Sequence, residues 1–182
     1  MAFSPVSGRF LHKFPVSTDN SFMKIKKELK KSKAYLQKQF SSDDIKELSF
    51  TVCGKEIYLI FLDGLTNKDS IGRQIMLPLK ELKEVTIESM EGCILEPELT
   101  RVTDYEQVID EVLIGNTVVL ADGVAGGISA AAKAFDKRPV AEPPTATVLQ
   151  GPREGFVETV QTNISLLRRK LRSKDLKFEQ YK

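Results

Sequence analysis

Hydrophobic positions near the N-terminus recur at helical spacing and predict an amphipathic helix from about residue 19 to residue 40. Asp19 or Ser21 can cap its start, because a side-chain oxygen there accepts from free backbone N–H groups of the first turn. Lysines fill the other faces of this helix. Its apolar stripe consists of Phe22, Ile25, Leu29, Leu36 and Phe40. Residues 1–18 mix Ser, Pro and Gly without such a period, so they are expected to form a flexible tail.

The middle of the chain alternates between strand-like and helix-like segments. LSFTVCGKEIYLIFL (residues 48–62) predicts two strands around a turn at Gly54-Lys55, and the second strand is a continuous apolar run of the buried type. NTVVLADG predicts another strand, with the small-residue segment VAGGISAAAKAF as its partner. Two further helices have candidate caps at Asp69 or Ser70 and at Thr103 or Asp104. This succession predicts an α/β fold with a mixed β-sheet flanked by helices.

The C-terminal part opens with QGPREGF and carries the strongest helix signal of the chain. Pro152 suits the first helical position, where its missing N–H costs nothing, so the helix is predicted to run from residue 152 to residue 171. Asn163 falls on the apolar side and should need a hydrogen-bonding partner. The apolar stripe is Phe156, Val160, Ile164, Leu167 and Leu171. The final segment, LKFEQ, is predicted to begin a strand.

The charge is unevenly distributed, although the net charge is only +2. Residues 24–38 hold seven lysines and one glutamate, and residues 168–182 hold seven basic and two acidic groups. Residues 41–167 hold 11 basic and 21 acidic groups. An acidic body with two basic ends favours contact with anionic surfaces. One candidate function is therefore a nucleic-acid-binding domain that uses segments 24–38 and 168–174, and a solvated surface is the simpler interpretation of the lysines.

The residue types that carry catalysis do not form a recognisable pattern. The only histidine, His12, lies in the expected tail, which removes the commonest general base. Cys53 and Cys93 are forty residues apart, a spacing that fits no zinc or redox motif, and they are predicted to be buried free thiols. No nucleophile–base pair or metal-ligand cluster is visible. The sequence therefore predicts no catalytic residue, no metal, no cofactor and no enzymatic activity.

Two Asp-Gly pairs end apolar strands, at Asp63 and Asp122. Carboxylates at strand ends often belong to the functional sites of α/β proteins. Asp-Gly is also a common turn pair, and the turn interpretation is favoured here. No run of the sequence reaches the roughly 20 apolar residues that a membrane-spanning helix needs.

The C-terminal motifs resemble a known family. The run from EPPTATVLQGPREGF to TNISLLRRKLRSKDLKFE resembles the A subunits of GerA-type spore germinant receptors, with the GPREGF turn, the TN pair, the double arginine and the leucine-lysine-phenylalanine segment in order. IYLIFLDGL, GNTVVLADG and KRPVAEP also occur in the order of the family. The resemblance covers roughly residues 20–182 and is most specific in its C-terminal part.

The resemblance implies a non-enzymatic, soluble N-terminal region that precedes a membrane domain and acts in spore germination by subunit contact or signal transmission. It implies two α/β subdomains, the first at residues 19–149 and the start of the second at residues 150–182, so that the chain is expected to be a fragment. Partners would be receptor subunits of the B and C types and a small nutrient germinant, with no nucleic acid. The full-length protein would lie in the spore inner membrane, attached through the missing C-terminal part, with this domain on the cytoplasmic side.

The candidate site residues divide into two groups. In the turn, Gly151 permits a sharp bend, Glu154 lies at the positive helix end, and Phe156 is expected to anchor the helix in the core. The structural turn residues are Gly151, Pro152, Gly155 and Phe156. The candidate ligand-binding or partner-binding residues are Arg153, Glu154, Asn163 and Asp122. Arg153 has no local role, so it is expected to pair across the subdomain seam or to contact another subunit.

Overall fold

A five-stranded sheet forms the centre of the fold. The computed structural model describes residues 23–133 and 156–179. The strands are β1 (Ile45–Val52), β2 (Lys55–Leu62), β3 (Leu99–Val102), β4 (Thr117–Ala121) and β5 (Gly127–Ala130). They lie in the order β1-β2-β4-β5-β3, and every pairing described is antiparallel. The α/β class is confirmed, but the sheet is antiparallel where a mixed one was expected, because tight turns join β1 to β2 and β4 to β5.

Helices cover both faces of this sheet. They are α1 (Leu29–Gln39), α2 (Lys68–Ser70), α3 (Leu77–Lys80), α4 (Ile87–Cys93), α5 (Tyr105–Leu113) and α6 (Val160–Lys170). A π-helical turn, Ile71–Met76, joins α2 to α3. Alternate strand residues enter two cores: Val118 of β4 packs under α1 and α5, whereas Val119 packs under the π-helical turn, α3 and α4. The alternation follows from the strand period of two.

The β1–β2 hairpin is confirmed and is closed by a two-residue turn. Cys53 and Gly54 have φ angles of 49° and 76°, so both turn residues are left-handed, as a type I′ turn requires. The turn therefore lies one residue earlier than predicted. Residues 57–62 of β2 are all buried, as the apolar run indicated.

Local signals also located α5 correctly. Asp104 caps this helix, since its Oδ1 accepts from Gln107 N at 2.9 Å. Gly115, with a φ of 93°, follows its end. Two elements that the sequence did not indicate, α4 and β3, lie between α3 and α5.

The N-terminal helix is shorter than predicted. It begins at Leu29, because the preceding residues pair as an extended segment with residues 103–105. Ile25 N donates to Thr103 O at 3.0 Å, and Tyr105 N donates to Met23 O at 3.1 Å. The predicted tail 1–18 and the caps at residues 19 and 21 lie outside the described residues.

The C-terminal segment also differs from the prediction. Helix α6 begins at Val160, and residues 156–159 are not helical. Residues 176–179 form no strand of the sheet. Instead, Asp43 N donates to Phe178 O at 3.0 Å, so this segment lies against the loop that precedes β1. The predicted boundary between residues 149 and 150 falls outside the described residues and remains a prediction.

Candidate functional site

A buried arginine fastens α6 to the sheet. Arg168 is 1% exposed and forms two hydrogen bonds with Asp44, which is 2% exposed and lies in the loop before β1. Arg168 Nε donates to Asp44 Oδ2 at 2.7 Å, and Nη2 donates to Asp44 Oδ1 at 2.9 Å. This two-pronged geometry is the strongest form of a side-chain ion pair.

The rest of the guanidinium also has acceptors within hydrogen-bond distance. Nη1 donates to Ser173 O at 2.9 Å, and the two N–H groups of Nη2 are shared among Asp44 Oδ1, Leu176 O at 2.7 Å and Ser42 Oγ at 3.1 Å. The guanidinium carbon lies 5.0 Å from the centre of the Phe178 ring, within cation–π range. A charge can be buried at tolerable cost only when its donors are satisfied in this way.

The same loop receives the chain after α6. Phe178 N donates to Ser42 Oγ at 2.8 Å, and that hydroxyl in turn donates to Asp44 Oδ1 at 2.6 Å. Lys174 Nζ donates to Gln39 Oε1 at 3.4 Å, which brings the ends of the two basic segments together. Residues 173–178 therefore wrap around Arg168 and close it off from solvent.

Helix α6 also touches the other strand of the hairpin. Ser165 Oγ lies 3.1 Å from Gly64 O, directly after β2 ends, and its hydroxyl hydrogen is shared between this carbonyl and Gln161 O at 2.8 Å. Gly64 has a φ of 89°, and a Cβ atom there would lie 2.5 Å from Ser165 Oγ, so only glycine allows this approach. We call Ser42, Asp44, Gly64, Ser165, Arg168 and Phe178 the hairpin seam. Through it, α6 bridges both strands of β1–β2 at the open end of the hairpin.

The predicted turn lies mostly outside the described residues. Gly151, Pro152, Arg153, Glu154 and Gly155 are not described, and their roles remain predictions. Phe156 is 66% exposed, so the prediction that it anchors the helix in the core is wrong. It precedes α6 instead of lying on its stripe. Val160 and Leu171, 69% and 53% exposed, are also not buried, because they lie at the two ends of α6; its buried residues are Ile164, Ser165, Leu166 and Arg168.

Asn163 and Asp122 contact different elements. Asn163 has the hydrogen-bonding partner that the sequence called for: its Oδ1 accepts from Val157 N at 2.8 Å, and its Nδ2 donates to Val157 O at 2.7 Å. Asp122 lies in the turn after β4, and its Oδ1 accepts from Leu29 N at 3.0 Å, at the start of α1. Both contacts are structural, and the proposed binding role of each residue remains a prediction.

Sequence reasoning missed the residues that form the hairpin seam. Arg168 stands in the basic segment 168–174, which predicts contact with an anionic surface and not a buried side chain. One signal was present: Arg168 is four residues after Ile164, so the two share the buried face of α6. Nothing in the sequence indicated that Asp44, in the polar SSDD segment, would be its partner.

An acidic surface on α5 lies next to the seam. The pKa of Asp110 is raised, first by partial burial and then by the negative charges of Glu106, Glu111 and Asp104, while Lys174 lowers it.

The pKa of Glu56, on β2, is lowered, chiefly because its carboxylate accepts a hydrogen bond from Lys33. Within residues 23–133 and 156–179, no group of three or more His, Cys, Asp or Glu side chains could hold a metal ion.

The exposure of the two thiols and the length of the helices can be compared with two further predictions from the sequence. Cys53 and Cys93 are free, but Cys53 is exposed and Cys93 half-buried, so the predicted burial is wrong. Across the part of the chain that the structure describes, no helix combines the length and apolar character required to cross a bilayer.

Comparison with known proteins decides the family. The family model for the Bacillus/Clostridium GerA spore germination protein matches residues 24–182, which is most of the chain. The chain belongs to the GerA family.

Curated members of this GerA family are similar over much of the chain. The spore germination protein GerLA of Bacillus cereus is 32% identical over 139 residues, covering 73% of this chain and 27% of the relative. The stage V sporulation protein AF of Bacillus subtilis is 29% identical over 148 residues, covering 78% and 30%. The chain therefore spans between a quarter and a third of the length of these relatives.

A solved structure has the same fold. The N-terminal domain of the A subunit of the Bacillus megaterium spore germinant receptor GerK3 matches with a TM-score of 0.60 at 14% identity. The match covers 86% of this chain and 60% of the solved chain. The α/β fold of this GerA-family chain is therefore that of a germinant-receptor N-terminal domain.

Proposed function

We propose that this chain is the N-terminal module of a nutrient germinant receptor subunit and acts, without enzymatic activity, by contacting other subunits and transmitting a signal in spore germination. The observation that carries the proposal is the family match over residues 24–182. Relatives similar to this chain are named as spore germination proteins. In the full-length protein the module lies on the cytoplasmic side of the spore inner membrane and is attached through a membrane domain that follows it.

The hairpin seam supports a role in transmission. Arg168 and Ser165 fix one face of α6 to both strands of β1–β2, and residues 173–178 close over the ion pair. A displacement of the chain that follows residue 179 therefore acts on the Asp43–Phe178 contact and on the sheet. Packed elements transmit such a displacement because they rearrange between discrete states and do not deform continuously.

Arg153 and Glu154 are the proposed contact residues toward B-type and C-type subunits. In QGPREGF, the sequence predicts turn and helix-start roles for the two glycines and the proline, and no such role for Arg153. Arginine is favoured at protein interfaces because its planar group binds carboxylates with two hydrogen bonds. A small nutrient is the proposed trigger of the assembled receptor.

The nucleic-acid alternative loses part of its basis. Arg168 belongs to the basic segment 168–174, but it is buried and engaged with Asp44, so it cannot reach a phosphate. No observation favours nucleic acid over the receptor role.

The test replaces Arg153 by alanine in the full-length receptor in spores, with Arg172→Ala as the matched control. Arg172 is an exposed arginine of the same C-terminal region. We expect Arg153→Ala to reduce co-purification of the B-type and C-type subunits and to slow nutrient germination at normal subunit level, and Arg172→Ala to leave both unchanged. Normal co-purification and normal germination with Arg153→Ala would contradict the contact role. Normal nutrient germination in spores that lack this protein would contradict the receptor role itself.

A further inference from the structure

The outer edge of β1 is open. β1 is the terminal strand of the sheet and pairs only with β2 among the described residues. It is eight residues long, and four consecutive side chains from Lys46 to Ser49 are exposed. A long open edge offers unpaired N–H and C=O groups to another strand, and natural proteins usually protect such edges.

The hairpin register identifies which backbone groups face outward. Val52 and Lys55 flank the two-residue turn, so they form a hydrogen-bonded pair, and such pairs recur at every second residue along β1. Glu47, Ser49 and Thr51 lie between them, and their N–H and C=O groups therefore point away from β2. Ile45 also faces outward, but its N–H already donates to Ser42 O at 3.2 Å.

An apolar groove runs beside this edge on the α2 face. It has a volume of about 290 Å³, and Leu48 at its mouth is 39% exposed. The groove is lined by Lys46, Glu47, Leu48, Phe61, Lys68, Ile71 and Met76. An extended chain paired with β1 would place every second side chain on this face, where the groove can receive an apolar one.

We propose that a second copy of this chain pairs with β1 as an antiparallel strand, with Ser49 opposite Ser49 of the partner subunit. The two five-stranded sheets then form one ten-stranded sheet around a two-fold axis. In this register Glu47 of each copy lies opposite Thr51 of the other copy. Together with the Ser49 pair, this gives three directly opposed pairs on the open edge. Each pair exchanges two bonds, which gives six backbone hydrogen bonds in all.

The side chains favour this register over its neighbours. Leu48 stands opposite the other copy's Phe50 on the α2 face, so the half-buried phenylalanine covers the exposed leucine at the groove. A register that centres on Glu47 places two carboxylates directly opposite each other, which is unfavourable. A register that centres on Leu48 brings Thr51 opposite Ile45, whose N–H is already engaged. Because β1 complements itself in this way, a second copy is the occupant that its sequence fits.

Proline at position 49 tests the backbone pairing. The N–H of Ser49 is not used in the β1–β2 ladder, so Ser49→Pro removes a donor from the open edge alone, and edge strands tolerate proline. Ser49→Ala is the matched control, since both variants lose the Lys33–Ser49 side-chain contact. We measure mass against concentration by sedimentation equilibrium on the 182-residue chain. We expect a dimer for the wild type and for Ser49→Ala, and a dissociation constant raised roughly tenfold or more by Ser49→Pro.

A second variant guards against misfolding of the proline chain. Leu48→Lys changes an exposed side chain and keeps every backbone donor, and we expect it to weaken the dimer as well. Val160→Ser, on the exposed part of α6, should leave the dimer intact. A wild-type chain that stays monomeric at every concentration, or a dimer that Val160→Ser abolishes and Leu48→Lys does not, overturns the proposal.

Disulfide trapping tests the register itself, in a background with Cys53→Ser and Cys93→Ser. In an antiparallel hydrogen-bonded pair the Cα atoms lie about 5.5 Å apart, within disulfide range, so Ser49→Cys should link two chains on oxidation. Thr51→Cys is the control. Thr51 of one copy lies opposite Glu47 of the other, four residues away from that copy's Thr51, so the two cysteines would be roughly 13 Å apart. A covalent dimer from Thr51→Cys and none from Ser49→Cys contradicts the proposed pairing.

Discussion

Arg168 and Asp44 are 124 residues apart in sequence and meet in two parallel hydrogen bonds inside the protein. The pair joins α6 to the loop before β1, while Ser165 joins the same helix to the turn after β2. One helix therefore holds both strands of the hairpin at their open end. In this GerA-family chain the sheet is thus linked to residues 173–178, the segment that follows α6.

Breaking the ion pair should destabilise the fold strongly. Arg168→Met leaves the Asp44 carboxylate buried without its counter-charge, and we expect a loss of about 3–5 kcal/mol in the free energy of unfolding. The double variant Arg168→Met/Asp44→Leu should lose less than the sum of the two single variants, because both buried charges are then gone. Urea unfolding measures all three, with exposed Arg172→Met as the control. Additive losses would show that the two side chains do not depend on each other.

Truncation to alanine should cost more stability at Leu166 than at Phe156, although phenylalanine is the larger side chain. Leu166 is 5% exposed, so Leu166→Ala should cost about 2–5 kcal/mol. Phe156 is 66% exposed, so Phe156→Ala should change the stability by less than about 0.5 kcal/mol. Thermal melts of the two variants decide the matter. A loss with Phe156→Ala as large as that with Leu166→Ala would mean that the phenylalanine is buried after all.

Asn163 should hold the chain that leads into α6. Asn163→Asp keeps the oxygen that accepts from Val157 N but loses the donor to Val157 O, and Asn163→Ala loses both bonds. We expect Asn163→Ala to lose about 1 kcal/mol per bond, whereas Asn163→Asp keeps the bond from Val157 N and sets a carboxylate oxygen against Val157 O. Hydrogen exchange at the Val157 amide is the local measurement, and it should accelerate in Asn163→Ala and much less in Asn163→Asp. Equal acceleration in both variants would show that the hydrogen bond from Val157 N to Asn163 does not protect this amide.

Asp110 should make the stability depend on pH. Its pKa is raised in the fold by burial and by neighbouring negative charge, so the folded protein binds this proton more tightly than the unfolded chain does. The contribution of Asp110 to stability is then greatest below its ordinary pKa and is lost as the pH rises through the raised value. Asp110→Asn should raise the melting temperature at pH 7 and leave it unchanged near about pH 3.5. Glu84→Gln is the control, because Glu84 is an exposed carboxylate that is not among the charges acting on Asp110. An equal gain at both pH values with Asp110→Asn would exclude an electrostatic cause.

Elements with complete local signals could be predicted from the sequence. The capping Asp104 and the left-handed Gly115 delimit α5, and both signals lie within two residues of the helix. The β1–β2 hairpin was predictable because a glycine separates two strand-like runs. Short elements were missed: β3 has four residues, and α4 has seven, too few for Ile87 and Met90 to establish a helical period despite the capping box at Thr86 and Ser89.

The candidate site could not be predicted, because its contacts are not local. Whether Arg168 faces solvent or the interior depends on Asp44 and on the wrapped segment after α6, and neither is near it in sequence. The start of α6 was misplaced for a similar reason. Pro152 is a good first residue for a helix, but the Asn163 side chain holds Val157 outside the helix instead.

The long separation of Arg168 from Asp44 also bears on how the chain folds as it is made. At about 5–20 residues per second, a ribosome needs roughly 6–25 s to synthesise the 124 residues that separate them. During that interval the hairpin can form, because its two strands are adjacent in sequence, but Asp44 has no counter-charge and must stay hydrated. The open end of the nascent hairpin therefore stays exposed to solvent until α6 has been synthesised. Asp44 is buried only after that, late in the folding of the domain.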